Sequence, residues 1–496
     1  MKKKLLFWID SSLYNFFNAK FIQEEIDCDI YSIYDITDNP KKYFQSQKIV
    51  NFNDSWFFHD QIKNNNITPD IDYLNSFEEK FGINLWVLAY NERNFYEFNK
   101  FYNFSSDEIL SILEQECKFF EKVLETIKPD FLIMPQPYFH HDHLLFIMCK
   151  KLGIKCLLIK ISSLDSTRCL IHEDNEYTPI DFPKSSSKKQ MDFETIQNKL
   201  KSLKKFEQVQ NIEETNKSER LNAVLKYIFS SNSNIDTHYS YYGRTKLKVL
   251  YTTFLMSVKG KIRKRFLDKN SIYKIPSNEK FIYFPLHQEE EESTLIGAPF
   301  FSNQTEVIKN IIKSMPIGYK LYVKESPVIT ARDGRKISEY KKLLSFPNLR
   351  LIHNSVNPFE ILKKCSLVIT IVGSSGLEAA YYLKPSIVLT DTSYSNLNSV
   401  KKLKNFEDLP SLIKNMLTEK FDYSDVSDYH EYIQKNSFSF NFHKIWTLTS
   451  NHFHFGGAYV DVIITDEKIK TFLEKCSDDF RILSSEFSKK IQNSID

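Results

Sequence analysis

Short apolar runs alternate along the chain with stretches of helical period. Leu5–Ile9, Phe131–Met134 and Lys155–Ile159 are too short for buried helices, and each reads as a buried strand. Asp107–Ile127 carries apolar residues at every third or fourth position and predicts a helix. Pro135 and Pro137 stop the second strand, His143–Leu152 predicts a helix, and Gly153 closes it. A strand, a helix, a Gly turn and a strand make a βαβ unit, so the first sheet is expected to be parallel.

The second half repeats the alternation more regularly. Strands are predicted at Phe281–Leu286, Tyr319–Val323, Leu349–Ile352, Leu367–Ile371 and Ser386–Leu389. Helices are predicted at Gln304–Ser314, Ile337–Leu344, Pro358–Lys364 and Gly376–Leu383. Pro358 opens its helix where the missing N–H leaves no bond unmade. This pattern is a second doubly wound domain, and the fold class is α/β with two Rossmann-like domains. Asp466–Ile491 reads as C-terminal helix.

The chain therefore divides into an N-terminal domain over 1–265, a C-terminal domain over 275–425, and a helical extension over 426–496. Within the first part, 183–220 is a polar insertion or linker. Arg244–Lys269 is a basic amphipathic stretch, either a solvated bridging helix or a contact for an anionic membrane surface or a lipid-linked acceptor.

Composition narrows the function. In 496 residues, 42% hydrophobic and 26% charged, the net charge is only +3, which argues against a dedicated nucleic-acid binder. Seven scattered cysteines without a CxxC pair suit a reducing compartment. The N-terminal MKKKLLFWID is too short in its apolar run for a signal peptide, and Asp10 interrupts it. No apolar run approaches the roughly 20 residues of a membrane span. The expected location is cytoplasmic, with at most peripheral membrane contact.

In parallel α/β sheets ligands bind beyond the carboxyl ends of the strands. After the first strand of the second domain come His287-Gln288-Glu289-Glu290-Glu291-Glu292-Ser293-Thr294. After the second come Lys324-Glu325-Ser326-Pro327, and after the fourth Gly373-Ser374-Ser375-Gly376-Leu377-Glu378. The last loop opens a helix and suits a phosphate, with Glu378 placed to accept from a sugar hydroxyl; the bland alternative is simple capping. Lys324 can neutralise a phosphate or pair with Glu325. His287 reads as a core-edge histidine, a general acid or a pyrophosphate donor.

These segments resemble the bacterial capsule polysaccharide biosynthesis family, which includes the capsule Kdo transferases. The matching residues are FPLHQEEEEST, FSNQ, YKLYVKESP and SLVITIVGSSGLEAAYYLKPSIVL, spanning roughly Phe281–Asp391. The resemblance implies a GT-B fold, two Rossmann-like domains facing a cleft. It implies a Leloir-type glycosyltransferase with no cofactor and no obligatory metal. The donor it implies is a nucleotide sugar, a CMP-sugar such as CMP-Kdo or a sialic type ahead of a UDP-sugar. The acceptor would be a growing glycan or lipid-linked glycan of capsule or lipopolysaccharide. His287, Glu291 and Thr294 match its first motif, Lys324 and Glu325 its second, and Ser374, Ser375, Gly376 and Glu378 its third. Ser326 stands where the family usually has His, and Glu290 where it usually has Pro. Alternatives are a sugar-nucleotide epimerase of the same fold and an inactive glycan-binding homologue.

The general base is expected from the N-terminal domain. Its candidate loop is Gln136–His143, with Asp142 first and His141 second, although Asp142 also suits a helix cap. His140, His141 and His143 could bind zinc but lack an identifiable fourth ligand, so no metal is assigned. Asp27-Cys28-Asp29 matches a DxD motif by chance.

Overall fold

The computed structural model describes residues 2–63, 68–175, 177–184, 192–198, 200, 224–225, 227–229, 233–325, 335–453 and 463–493. Most of the predicted polar insertion, and Ser326 and Pro327, lie outside the described residues. The chain divides into two compact units. Unit one is Met1–Asn175, Glu213–Leu250 and Ser437–Asp496; unit two is Glu176–Ile212 and Tyr251–Asn436.

Unit one is built on β1 (Lys3–Asp10), β2 (Cys28–Asp35), β3 (Asp54–Phe57), β4 (Phe131–Pro135), β5 (Lys155–Ile161) and β6 (Arg168–His172). They lie in the order β3-β2-β1-β4-β5-β6, parallel through β5, with β6 antiparallel. Leu5, Phe7 and Ile9 of β1 enter one core and Leu6 and Trp8 the other, because successive strand residues face opposite ways. A strand buried on both faces reads as a continuous apolar run, which is why LLFWI was legible. One core is aromatic: the Phe17 ring lies 4.7 Å from Phe472 and 5.3 Å from Phe480. The many phenylalanines are largely core material.

Unit two contains β7 (Lys280–Pro285), β8 (Tyr319–Lys324), β9 (Leu349–Ile352), β10 (Leu367–Thr370), β11 (Ser386–Val388) and β12 (Val400–Lys402). The order is β9-β8-β7-β10-β11-β12, parallel throughout. Both units thus share the Rossmann order, reversing beside their first strand: β1/β4 in one, β7/β10 in the other.

The helices Gln304–Ser314, Ile337–Leu344 and Pro358–Lys364 occur as read. The expected His143–Leu152 helix begins earlier, at His140. The 426–496 extension is not one body. The helix Asp425–Asn436 belongs to unit two. Beyond it, β13 (Phe438–Ser439) adds an antiparallel edge to β6, and Arg168 Nε donates to Ser437 Oγ at 2.8 Å. The helix Asp466–Asn493 then covers the aromatic core through Phe472, Phe480 and Phe487. Unit one needs this return because the helix Tyr14–Glu25 buries Phe16, Phe17, Phe21 and Ile22 in that same core. The basic stretch is the helix Lys246–Asn270, and the chain passes from unit one to unit two within it, after Leu250. No helix among the described residues is long and apolar enough to cross a membrane.

Candidate functional site

In unit two, the residues after β7, β8 and β10 occupy one sheet edge at the switch point. His287 is clamped through its backbone. Its N–H donates to Gln304 Oε1 at 2.8 Å, and its carbonyl accepts from Gln304 Nε2 at 2.9 Å and from an Arg335 guanidinium N–H at 2.8 Å. Its ring Nε2 lies 3.3 Å from Thr370 Oγ1, which also accepts from the Gly373 N–H at 3.1 Å. The first loop and the Gly-rich loop therefore meet at His287. A Cβ on Gly373 would stand 2.8 Å from both His287 Nε2 and Thr370 Oγ1, so only glycine lets the loop approach this closely. A Cβ on Gly376 would stand 2.6 Å from the Tyr394 hydroxyl, which itself donates to the Gly373 carbonyl.

The candidates divide by accessibility. Ser374 is exposed and donates to Glu378 Oε1 at 2.8 Å, and Ser375 and His287 are partly exposed. Burial and then the nearby Arg335 push the His287 imidazole down to about 4, so it is neutral near pH 7 and no general acid there. Thr294 is fully buried. Its O–H lies within 3.0 Å of the carbonyls of Gln288, Glu289 and Glu291, and it ties the acidic loop together. Glu291 is exposed at that loop. Glu325 faces inward: it accepts from Arg335 at 2.7 Å and from the Tyr340 hydroxyl at 2.5 Å. Lys324 and Glu378 are also buried. Lys324 closes β8 opposite Pro285 of β7, next to the His287 loop, and its carbonyl accepts from the Leu286 N–H at 2.9 Å. Ser326 has no described position.

Gln304 closes the FSNQ segment of the family resemblance but was given no role, and Arg335 was missed. Gln304 is a fully buried polar residue in the first turn of its helix, and its place in the FSNQ segment was the signal. Nothing local marks Arg335, whose partners lie at 287, 289 and 325.

The carboxyl edge of unit one carries a denser set of ionisable groups. Asp142 is buried, and both its oxygens are engaged by backbone N–H groups, of Tyr138 at 2.9 Å and Phe139 at 2.8 Å. It is the third residue of its helix and reaches back to the N-cap Phe139, closing the helix start from within, and burial pushes its carboxyl up to about 7 against those donors. His141 is buried with Nε2 3.2 Å from Asp35 and Nδ1 3.1 Å from the Tyr239 hydroxyl. His140 lies between Glu92, 2.7 Å from Nδ1, and Glu116, 2.9 Å from Nε2. Burial alone would lower its pKa, but Glu116 and Glu92 raise it to about 10. His143 stands apart, its ring stacked near Phe146, and burial pushes it down to about 4.

Asp10 and Asp35 were missed as site residues. They end β1 and β2 and are register partners. Both runs, LLFWID and IYSIYD, close with Asp at the ligand-binding edge, and that repetition was readable. Asp10 is partly exposed; burial lifts it to about 6, against two bonds from Ser12. Asp35 is held well below the usual carboxylate range, because His141 and His59 outweigh the effect of burial. The turn between Asp10 and the first helix places Leu13 at φ 60°, a strained conformation for a branched side chain. Asp27-Cys28-Asp29 begins β2, at the opposite edge, as expected of a chance match.

The profile of a family described as "Capsule polysaccharide biosynthesis protein" matches residues 185–450, more than half of the chain. No curated protein matches. Among solved structures, the beta Kdo 2,7 transferase KpsC of Thermosulfurimonas dismutans aligns at 12% identity over 66% of this chain and 80% of its own, with a TM-score of 0.30. UDP-GlcNAc 2-epimerase from Neisseria meningitidis aligns at 16% identity over 87% and 98%, with a TM-score of 0.26. The S. aureus MnaA–UDP structure aligns at 12% over 86% and 91%, with a TM-score of 0.27. Likenesses this distant assign no activity.

Proposed function

This chain belongs to the capsule polysaccharide biosynthesis family, and on that premise we propose that it is a glycosyltransferase moving a sugar from a nucleotide-activated donor to a growing surface glycan. The observation that best supports this is the convergence of His287, the Thr370–Gly376 loop and the end of β8 on one switch-point edge. Ser374 and Ser375, the accessible side chains of that loop, face the donor phosphate. Thr294, Gln304, Glu325 and Arg335 hold the loops in place, so little reorganisation accompanies charge development on the leaving group. The neutral His287 offers a hydrogen bond, not a charge. The donor is a CMP-sugar ahead of a UDP-sugar, by the family resemblance of the three motifs.

The acceptor's proton needs a base within hydrogen-bond reach. Asp142 is occupied as a cap and His141 is enclosed, so the role passes to Asp10. It is partly exposed at the edge of unit one, and its lifted pKa gives it basicity near neutral pH. The helix Lys246–Asn270 exposes Leu247, Tyr251, Phe254, Val258 and Ile262 among lysines, which supports peripheral contact with an anionic membrane surface or a lipid-linked acceptor on the cytoplasmic side.

The decisive experiment is a calorimetric titration of the full chain with CMP-, UDP- and GDP-sugars. One class should bind, and the Ser374→Ala/Ser375→Ala double variant should lose that binding; undiminished affinity in the variant would overturn the donor site. With the donor known, Asp10→Asn should lower turnover by about 10²–10⁴-fold while leaving donor affinity unchanged. Conversion of the sugar without any acceptor would instead indicate an epimerase.

A further inference from the structure

Four buried side chains of unit one converge from three separate segments. Glu116 comes from the helix Ser106–Ile127, His140 and His141 from the first turn of the helix His140–Lys151, and Tyr239 from the turn Tyr239–Tyr241. Each is at most 4% exposed. One donor atom each from Glu116, His140 and His141 lie within 4.8 Å of one another. The Tyr239 oxygen is 3.1 Å from both Glu116 Oε1 and His141 Nδ1.

The two rings are held in a consistent way. His140 directs Nε2 to Glu116 and keeps Nδ1 on Glu92; His141 directs Nδ1 to Tyr239 and keeps Nε2 on Asp35. Each imidazole thus has one nitrogen facing the cluster and the other fastened to an outer carboxylate. Outer carboxylates of this kind fix ring orientation and basicity in metal-binding histidines.

We propose that Glu116, His140 and His141, with the Tyr239 hydroxyl as fourth donor, form a closed site for one divalent transition-metal ion. Two imidazoles and a carboxylate suit zinc. A tetrahedral ion with bonds of about 2.0–2.1 Å needs donor atoms roughly 3.3 Å apart, so modest side-chain contraction completes the shell. The sequence pointed to His140, His141 and His143 and found no further ligand. Glu116, 24 residues before His140, supplies it, and His143 takes no part. The ion would be enclosed and would serve positioning. Through His141 it would hold Asp35, the register partner of Asp10, at the end of β2.

The test is independent of sugar transfer. The full chain, free of any affinity tag and purified without chelator, is analysed for metal by mass spectrometry, then stripped and refilled with Co²⁺. One zinc per chain, and a visible d–d band of four-coordinate Co²⁺, are expected. Glu116→Gln and His140→Asn should abolish both, and Glu92→Gln should weaken Zn²⁺ affinity about 10–100-fold. Should the first two variants fail to fold by circular dichroism, the wild-type Co²⁺ spectrum and the Glu92→Gln titration decide. A wild-type chain that holds no stoichiometric metal after incubation with Zn²⁺ or Co²⁺ would overturn the proposal and leave a metal-free hydrogen-bonded network. So would folded variants that retain the full complement.

Discussion

Replacing Glu325 by alanine leaves the Arg335 guanidinium in the interior of unit two without its closest carboxylate. The two side chains are 3% and 2% exposed and 2.7 Å apart. Breaking a buried pair from one side destabilises by about 3–5 kcal/mol. Glu289, 3.1 Å from Arg335 Nε and partly exposed, remains as a weaker partner and sets the expectation near the lower end, about 3 kcal/mol. For a unit of this size that corresponds to a Tm lower by about 6–12 °C. The assay can be made unit-specific, because the four tryptophans, Trp8, Trp56, Trp86 and Trp446, all belong to unit one. Thermal unfolding followed by far-UV circular dichroism should show a destabilised component, while the tryptophan-fluorescence midpoint stays in place. The Glu325→Leu/Arg335→Met double variant should recover most of the loss, since no charge is then left buried alone. A Glu325→Ala protein within about 0.5 kcal/mol of wild type would refute the reasoning, because that is the range of an exposed substitution.

Other expectations follow from the same geometry. Gly376→Ala should destabilise unit two by about 1–3 kcal/mol through collision with the Tyr394 hydroxyl, and the penalty should shrink in a Tyr394→Phe background, as a double-mutant cycle by chemical denaturation would show. His287 is held down at about 4, below its unfolded value, so its contribution to stability is fully present above about pH 6.5 and is lost as pH falls towards 4. The stability gap between wild type and His287→Asn should therefore be constant from pH 7 to 8 and move in favour of the variant at pH 5; urea midpoints showing the gap moving the other way would contradict it. Asp142→Asn should lower Tm without a selective loss of turnover, as expected of a cap, and a selective catalytic loss would restore Asp142 as the base. Serine at Leu247, Tyr251 and Phe254 should reduce co-sedimentation with anionic vesicles while leaving nucleotide binding unchanged.

What the amino-acid sequence determined by itself is local and periodic. Apolar runs such as Leu5–Ile9 and Leu367–Ile371 announce strands buried on two faces. Pro358 and Gly153 mark helix ends, and the β/α alternation implies a parallel sheet whose carboxyl edge carries the loops. The aggregate at His287, Lys324 and Gly373–Glu378 was legible for that reason. The strand β6, the edge strand β13 and the return of the helix Asp466–Asn493 to the first core were not, because each depends on a partner far away in the chain. Tertiary structure alone decided which candidates face outwards. Thr294, in the motif of His287, and Glu325, in that of Lys324, point inwards, because the carbonyls of Gln288, Glu289 and Glu291 and the Arg335 guanidinium lie there to receive them. It also met both Asp142 carboxylate oxygens with backbone N–H groups and joined Glu116, His140, His141 and Tyr239 across more than a hundred residues. Pattern records which side of an element is apolar; only packing determines which distant donor a buried polar atom meets, and that meeting sets its charge and its role.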